Sequence, residues 1–393
     1  MGDQWGVRKP MVGVASVLVY RPDNIGDVFL FTGALQHLRR LFPAAKITLA
    51  VQPGIAAMLD RCPHVDEVRS ARWLALSVGL QEAGIRGSTR LRSAVELAEK
   101  AWRLVGPGFD VALCPVKSPS ERMLQVMAAV KAKVKMGIAG SDVNLPRSAR
   151  LVPRGVFSAC LDLNGSGPWQ HELQTTVAFL RFLGADVSDV DEVWPRLWLS
   201  EGDRAYLAQF DLRRPIIGIC PTASNRMRIW PPDKYATVAR RMPAGSSVVL
   251  FGGGGEREFV GRVEDVIAGV RPELVLLNLA GKTSLRQLMA AISGCSLLVS
   301  METSALHMGI AARTPTIGIV GGGHYGRFAP WGDPQRVEIL TNRLPCFHCN
   351  WICSRGTPEC IEGVTVDQVA DAMQRLLGQS RAGAGGELGG GIE

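Results

Sequence analysis

Short β-branched runs alternate with helical stretches twice along this chain, and no other feature constrains the fold as tightly. Runs at 14–20, 46–51 and 109–114 read as strands, and 27–41 has a helical period with Phe31, Leu35 and Leu38 on one face. A helix at 171–184 closes the half. A second series comes after it, with apolar strands at 215–220, 247–252, 274–279, 297–300 and 316–320. Such alternation is the signature of parallel α/β sheets. The acidic stretch 186–198, with Pro195, reads as the linker. The expected domains are therefore 1–195 and 196–377, with a Gly- and Ala-rich tail at 378–393 that is expected to be disordered. Two such halves form a cleft, with ligands at the carboxyl ends of the strands. An arginine-rich helical stretch at 71–105 is either an acceptor-facing insertion or a solvated helix pair.

The bulk numbers narrow the partners. A chain of 393 residues exceeds one typical core. The net charge of +8 favours an acidic partner: nucleotide phosphates, nucleic acid or an anionic membrane surface. Aromatics at 6% without basic-aromatic spacing argue against nucleic acid. No run approaches the ~18 apolar residues that span a bilayer. The apolar opening at 11–20 runs straight into Arg21-Pro22-Asp23-Asn24 with no small-residue cleavage site, so it reads as a strand and not a signal peptide. A cytoplasmic protein is expected, and five of its nine cysteines (Cys62, Cys114, Cys160, Cys220, Cys295) sit in apolar surroundings.

Three elements carry chemistry. The first is Arg21-Pro22-Asp23-Asn24-Ile25-Gly26-Asp27, which comes directly after the first strand and opens a helix. Asp27 is either an acid complementing the helix dipole or a general base for an attacking hydroxyl, with Arg21 and Asn24 beside it on the acceptor side. The second, at 221–235, offers Thr222, Ser224, Arg226 and Arg228 ahead of Trp230-Pro231-Pro232. Hydroxyls and guanidinium groups at a strand end suit phosphate binding. The third is Ser300-Met301-Glu302-Thr303-Ser304-Ala305-Leu306-His307. Its helix start can hold a pyrophosphate on backbone N–H groups, while His307, one turn in, is either packed or a ligand contact.

Two signals are decoys. Gly321 to Gly326 matches G-x-G-x-x-G, but Arg327-Phe328-Ala329-Pro330-Trp331-Gly332 cannot open a helix, which argues against a nicotinamide-dependent oxidoreductase. Asp189-Val190-Asp191 mimics a metal motif but lies in the linker.

Taken together, order and spacing resemble glycosyltransferase family 9, whose best-known members are ADP-heptose:lipopolysaccharide heptosyltransferases. The likeness runs from Arg21 to about Leu376 and includes the Trp230-Pro231 segment and Leu279-Ala280-Gly281-Lys282-Thr283-Ser284-Leu285. It implies the α/β GT-B architecture: two Rossmann-like domains facing across a cleft, the acceptor on the first and the donor on the second. It implies inverting chemistry without a catalytic metal, Asp27 as base and Arg228 neutralising the leaving nucleotide diphosphate. Thr303, Ser304, Ala305 and Leu306 then hold the phosphates, and Glu256 contacts the ribose. The family usually has Asp-Ser/Thr-Gly where this chain has Glu302-Thr303-Ser304. Glu302, in the place of the acid that contacts sugar hydroxyls, is expected to alter sugar choice.

Cys346, Cys349, Cys353 and Cys360 bring four thiols into one short stretch. The readings are a closed structural site for zinc or iron, reduced thiols, or oxidised pairs. Some family-like protein heptosyltransferases hold iron in such a knuckle. The resulting expectation is transfer of heptose from a nucleotide-sugar, ADP-linked, to a lipopolysaccharide-core glycolipid or other hydroxyl acceptor. It would act at the cytoplasmic face of an anionic membrane, with no catalytic cofactor. The alternatives are a relative with another donor or acceptor and a non-catalytic nucleotide-binding protein.

Overall fold

The computed structural model describes residues 13–70, 108–139, 155–163 and 170–383. The expected insertion at 71–105 lies outside the described residues. Two compact units divide the chain, Met1–Trp198 and Leu199–Glu393.

In the first unit six parallel strands run β1 (Ser16–Tyr20), β2 (Lys46–Val51), β3 (Glu67–Ser70), β4 (Phe109–Cys114), β5 (Ala132–Ala139) and β6 (Ala159–Asp162). Their spatial order is β3-β2-β1-β4-β5-β6. Leu18 faces Thr48 on one side and Ala112 on the other. Four of the five β1 residues are buried, as expected for a central strand covered on both faces.

The helix expected at 27–41 breaks in two, α1 (Ile25–Phe31) and α2 (Leu35–Leu41), with a 3-10 turn at Thr32–Ala34. The cause is the stretch read as a linker, which packs on this turn. A Cβ on Gly33 would lie 2.1 Å from the Val193 carbonyl oxygen, so only glycine fits. The Arg196 N–H donates to the Thr32 hydroxyl at 2.8 Å, and Gln36 donates to the Glu192 carbonyl at 2.9 Å. Residues 186–198 thus belong to the first unit, which ends at Trp198 and not at 195. Asp189 closes a local turn by accepting from the Asp191 N–H at 2.9 Å.

The second unit repeats the plan with β7 (Ile216–Cys220), β8 (Ser247–Leu250), β9 (Val275–Asn278), β10 (Leu297–Met301), β11 (Thr316–Ile319) and β12 (Val337–Leu340). The order β9-β8-β7-β10-β11-β12 is that of the first sheet, and all pairings are parallel. Ile217, Val248, Val299 and Ile317 form the core with Val369 and Met373 of a terminal helix, Val366–Gly383. That helix corrects the expectation of disorder from 378. Leu376 and Leu377 are buried, and the helix runs on through Gly383. No helix among the described residues is long and apolar enough to cross a membrane.

In each sheet the chain reverses direction between its first and fourth strands. Loops leaving the carboxyl ends of β1 and β4, and of β7 and β10, therefore open a crevice where such sheets bind ligands.

Candidate functional site

The first crevice is built around a buried arginine. Arg21, 3% exposed, pairs with Asp23 at 2.8 Å and donates to the Asp27 carbonyl at 3.0 Å. It also donates to the Pro115 carbonyl beyond β4, and its guanidinium lies 5.0 Å from the Phe31 ring centroid. Gln52 ties down the same loop through the Pro22 and Asp23 carbonyls at 2.7 and 3.0 Å. Arg21, read as an acceptor contact, is placed as the internal brace of the loop. Asn24 is exposed at the start of α1 with no side-chain cap bond, and Asp27 is half-buried in the first helical turn. Lys117, after β4, belongs to no motif that would mark it in the sequence. It is 2% exposed and donates to the Gln170 carbonyl at 2.7 Å.

The second crevice begins where β7 ends. Thr222 is buried; Ser224 and Arg226 are exposed. Asn225 accepts from the Met227 N–H at 2.9 Å and caps the 3-10 turn Arg226–Arg228. Beyond it Trp230 is fully buried, donates to the Val364 carbonyl at 3.0 Å and meets Tyr235 edge-on at 5.2 Å. The turn that carries Arg228 is thus fixed at both ends.

The charge of Arg228 reaches Glu302, the residue after β10. Glu302 is 3% exposed and accepts from the Gly321 N–H, while its Oε2 has no partner among the described residues. Burial pushes its carboxyl up to about 7, against the opposing pull of the Arg228 charge and the Gly321 N–H. Arg228 forms no ion pair among the described residues, and its Nε is buried without a partner. Its guanidinium lies 4.9 Å from the Trp351 ring centroid.

Thr303 starts the helix Ser304–Ala311, which points its amino end into the same crevice without a side-chain cap bond. Ala305 and Leu306 are buried, and the Leu306 N–H closes on the Thr303 carbonyl at 3.1 Å. His307 is 4% exposed and its Nδ1 accepts from the Trp331 indole at 3.1 Å. Glu256 accepts from the Gly253 N–H and shapes the glycine loop after β8. Burial, with a smaller contribution from the Glu256 charge, raises the Cys220 thiol at the end of β7.

Cys346, Cys349, Cys353 and Cys360 are half-buried free thiols. Among the described residues no three His, Cys, Asp or Glu side chains converge to hold a metal ion, so as placed these four do not fit one.

Two sheets of one order, each with charged groups at its switch point, are those of a GT-B glycosyltransferase. A sequence model of glycosyltransferase family 9 (heptosyltransferase) matches residues 156–354, and the chain belongs to that family. It is 24% identical over 378 residues to lipopolysaccharide heptosyltransferase 2 of Escherichia coli strain K12, a match spanning 93% of this chain and 99% of that protein. The fold is shared with a family 9 glycosyl transferase from Veillonella parvula at TM-score 0.72 and 19% identity, covering 93% and 98% of the two chains. It is also shared with E. coli ADP-heptose LPS heptosyltransferase II at TM-score 0.66 and 21% identity, covering 93% and 99%.

Proposed function

We propose that this glycosyltransferase moves heptose from a nucleotide-sugar, ADP-heptose, to a hydroxyl of a lipopolysaccharide-core acceptor by inverting, metal-independent chemistry. The observation that carries the reading is the pair Arg228 and Glu302 at the switch point of the second sheet. One is a cation with a buried unpartnered nitrogen, the other a buried acid with an unpartnered oxygen. A polar group buried without a partner is costly, and a ligand that satisfies both removes the cost.

In this mechanism the acceptor side falls to the first unit and the donor side to the second. The Asp27 carboxylate takes the proton of the acceptor hydroxyl. That oxygen forms its bond to the anomeric carbon from the face opposite the leaving group, and the bond to the nucleotide diphosphate breaks. Negative charge grows on the diphosphate, where Arg228 and the amino end of Ser304–Ala311 stabilise it. Thr222, Ser224 and Arg226 lie along the same loop, Glu256 serves the ribose, and Glu302 Oε2 accepts from a sugar hydroxyl. The lipopolysaccharide heptosyltransferase relatives and the net charge of +8 support a phosphorylated glycolipid acceptor at an anionic cytoplasmic membrane face.

The second reading, another donor or a protein or secondary-metabolite acceptor within the family, rests on Glu302, one methylene longer than the aspartate expected there. Calorimetric binding of ADP, UDP, GDP and dTDP to the wild type and Arg228→Ala separates the two. Preference for ADP, weakened about tenfold or more by the substitution, is expected. Preference for another nucleotide selects the second reading, and no binding to any of them defeats both.

A further inference from the structure

The glycine run Gly321-Gly322-Gly323 and the segment carrying the four cysteines are one device, and Arg228 is the group they act on. A Cβ on Gly321 would fall 2.5 Å from the Trp351 indole, one on Gly323 would fall 2.4 Å from it, and one on Gly322 would fall 2.4 Å from the Phe347 ring. The three glycines therefore exist so that two aromatic rings of the segment can lie on the loop. Backbone bonds complete the clamp: the His348 N–H donates to the Gly322 carbonyl at 2.7 Å and the Asn350 N–H to the Gly323 carbonyl at 3.2 Å. The His324 ring bonds the Asn350 side chain at 2.7 Å and meets the Trp351 ring edge-on at 6.0 Å.

The segment accepts a backbone cost to make this fit. His348, Asn350 and Trp351 have φ of 70°, 50° and 60°, a region that side-chain-bearing residues hold only where their surroundings enforce it. The enforced geometry achieves the placement of one ring. Trp351 lies under the Arg228 guanidinium at 4.9 Å, and Gly321, beneath the same indole, gives its N–H to Glu302. The chain of neighbours runs from Arg228 to Trp351, from Trp351 to Gly321 and from Gly321 to Glu302, whose carboxyl feels the Arg228 charge.

We propose that Trp351 is a positioning residue for Arg228, held by the clamp of 346–360 on 321–326 so that the guanidinium sits over the indole. A guanidinium stacked on an aromatic face keeps its edge donors directed outward, which suits a diphosphate. The proposal rests on the role of Arg228 toward the diphosphate in the proposed function.

The test is a double-substitution cycle of Trp351→Leu and Arg228→Ala, read by ADP calorimetry and, without nucleotide, by thermal unfolding. With Arg228 present, Trp351→Leu is expected to weaken ADP about tenfold; with Arg228→Ala already in place, by less than about twofold. Trp351→Phe, which keeps a ring beneath the guanidinium, is expected to lose less than about threefold. Equal weakening in both backgrounds overturns the proposal, because the indole would then act independently of Arg228. Should Trp351→Leu not fold, Trp351→Phe is compared across the same two backgrounds, and an equal loss overturns it again. A wild type that binds no ADP defeats the functional reading alone. In that case non-additive shifts in the unfolding midpoint support the Arg228–Trp351 coupling, and additive shifts overturn it.

Discussion

The two sheets have the same strand order and each places an arginine in the loop after its first strand, yet the two arginines are treated oppositely. Arg21 is surrounded by its own chain: Asp23 pairs with it, two carbonyls accept from it and Phe31 lies against it. Arg228 has an indole on one face, feels the charge of the buried Glu302 and forms no ion pair among the described residues, although the Nε of each arginine is buried without a hydrogen-bond partner. In the first unit the cation is engaged in an ion pair and in shaping a loop, and the group left half-buried at the helix start is Asp27. In the second the loop is shaped by other means, the Asn225 cap and the buried Trp230, and the cation is held back for something else. The comparison teaches that an arginine at a strand end does not itself mark a ligand site. Its partners decide, and an arginine already held in a buried ion pair has less left for a ligand.

The largest effect is expected at the group that the first unit leaves in place. Asp27→Ala should lower kcat by a factor on the order of 10²–10⁴, the usual contribution of a positioned general base, with ADP affinity unchanged. Steady-state kinetics beside calorimetry checks this. Turnover within about tenfold of wild type would make Asp27 a helix-dipole acid and remove the asymmetry between the units.

Arg21→Met sharpens the contrast next. Removing one member of a buried pair leaves Asp23 uncompensated, and the loss is expected to be about 3–5 kcal/mol of stability in urea unfolding. Arg228→Ala, with no ion pair to break, should shift the same transition by less than about 1 kcal/mol while it weakens nucleotide binding. Comparable destabilisation by both would mean that Arg228 is a brace as well.

The same division governs how much of the molecule is legible in its sequence. The central strands were legible because burial on both faces makes them continuous apolar runs, as in β1 and β10. The edge strand β3, Glu-Val-Arg-Ser, and β12, Val-Glu-Ile-Leu, carry charges and half-exposed positions, so nothing in their pattern announced them. The split of the first helix depended on Gly33 meeting Val193, a contact between residues far apart in sequence. The family-type site residues were legible as motifs, whereas the fate of each was not. Arg21 and Arg228 look alike in sequence until Asp23, Phe31, Glu302 and Trp351 are placed around them. Trp351 itself offered only one signal, three consecutive glycines with no helix after them, which the sequence excluded as a dinucleotide loop without giving them another role.

The smallest expected effect concerns the acid beside Arg228, and pH reads it. In the unfolded chain the Glu302 carboxyl titrates near its ordinary value of 4.5; in the folded protein burial raises it to about 7. Between those two values the unfolded state has released a proton that the folded state keeps, so raising the pH favours unfolding across that window. Above about 7 the carboxyl is ionised in both states and its contribution stops changing. The full cost to the folded state is at most on the order of 3 kcal/mol. Glu302→Gln removes the titration while keeping the shape, so its urea midpoint should fall less than that of the wild type between pH 4.5 and 7. Arg228→Ala should do the reverse, because the guanidinium charge is what pulls the carboxyl down; without it the wild-type decline extends to higher pH. If neither substitution alters the pH slope, Glu302 and Arg228 do not interact, and the second unit has no counterpart to the ion pair of the first.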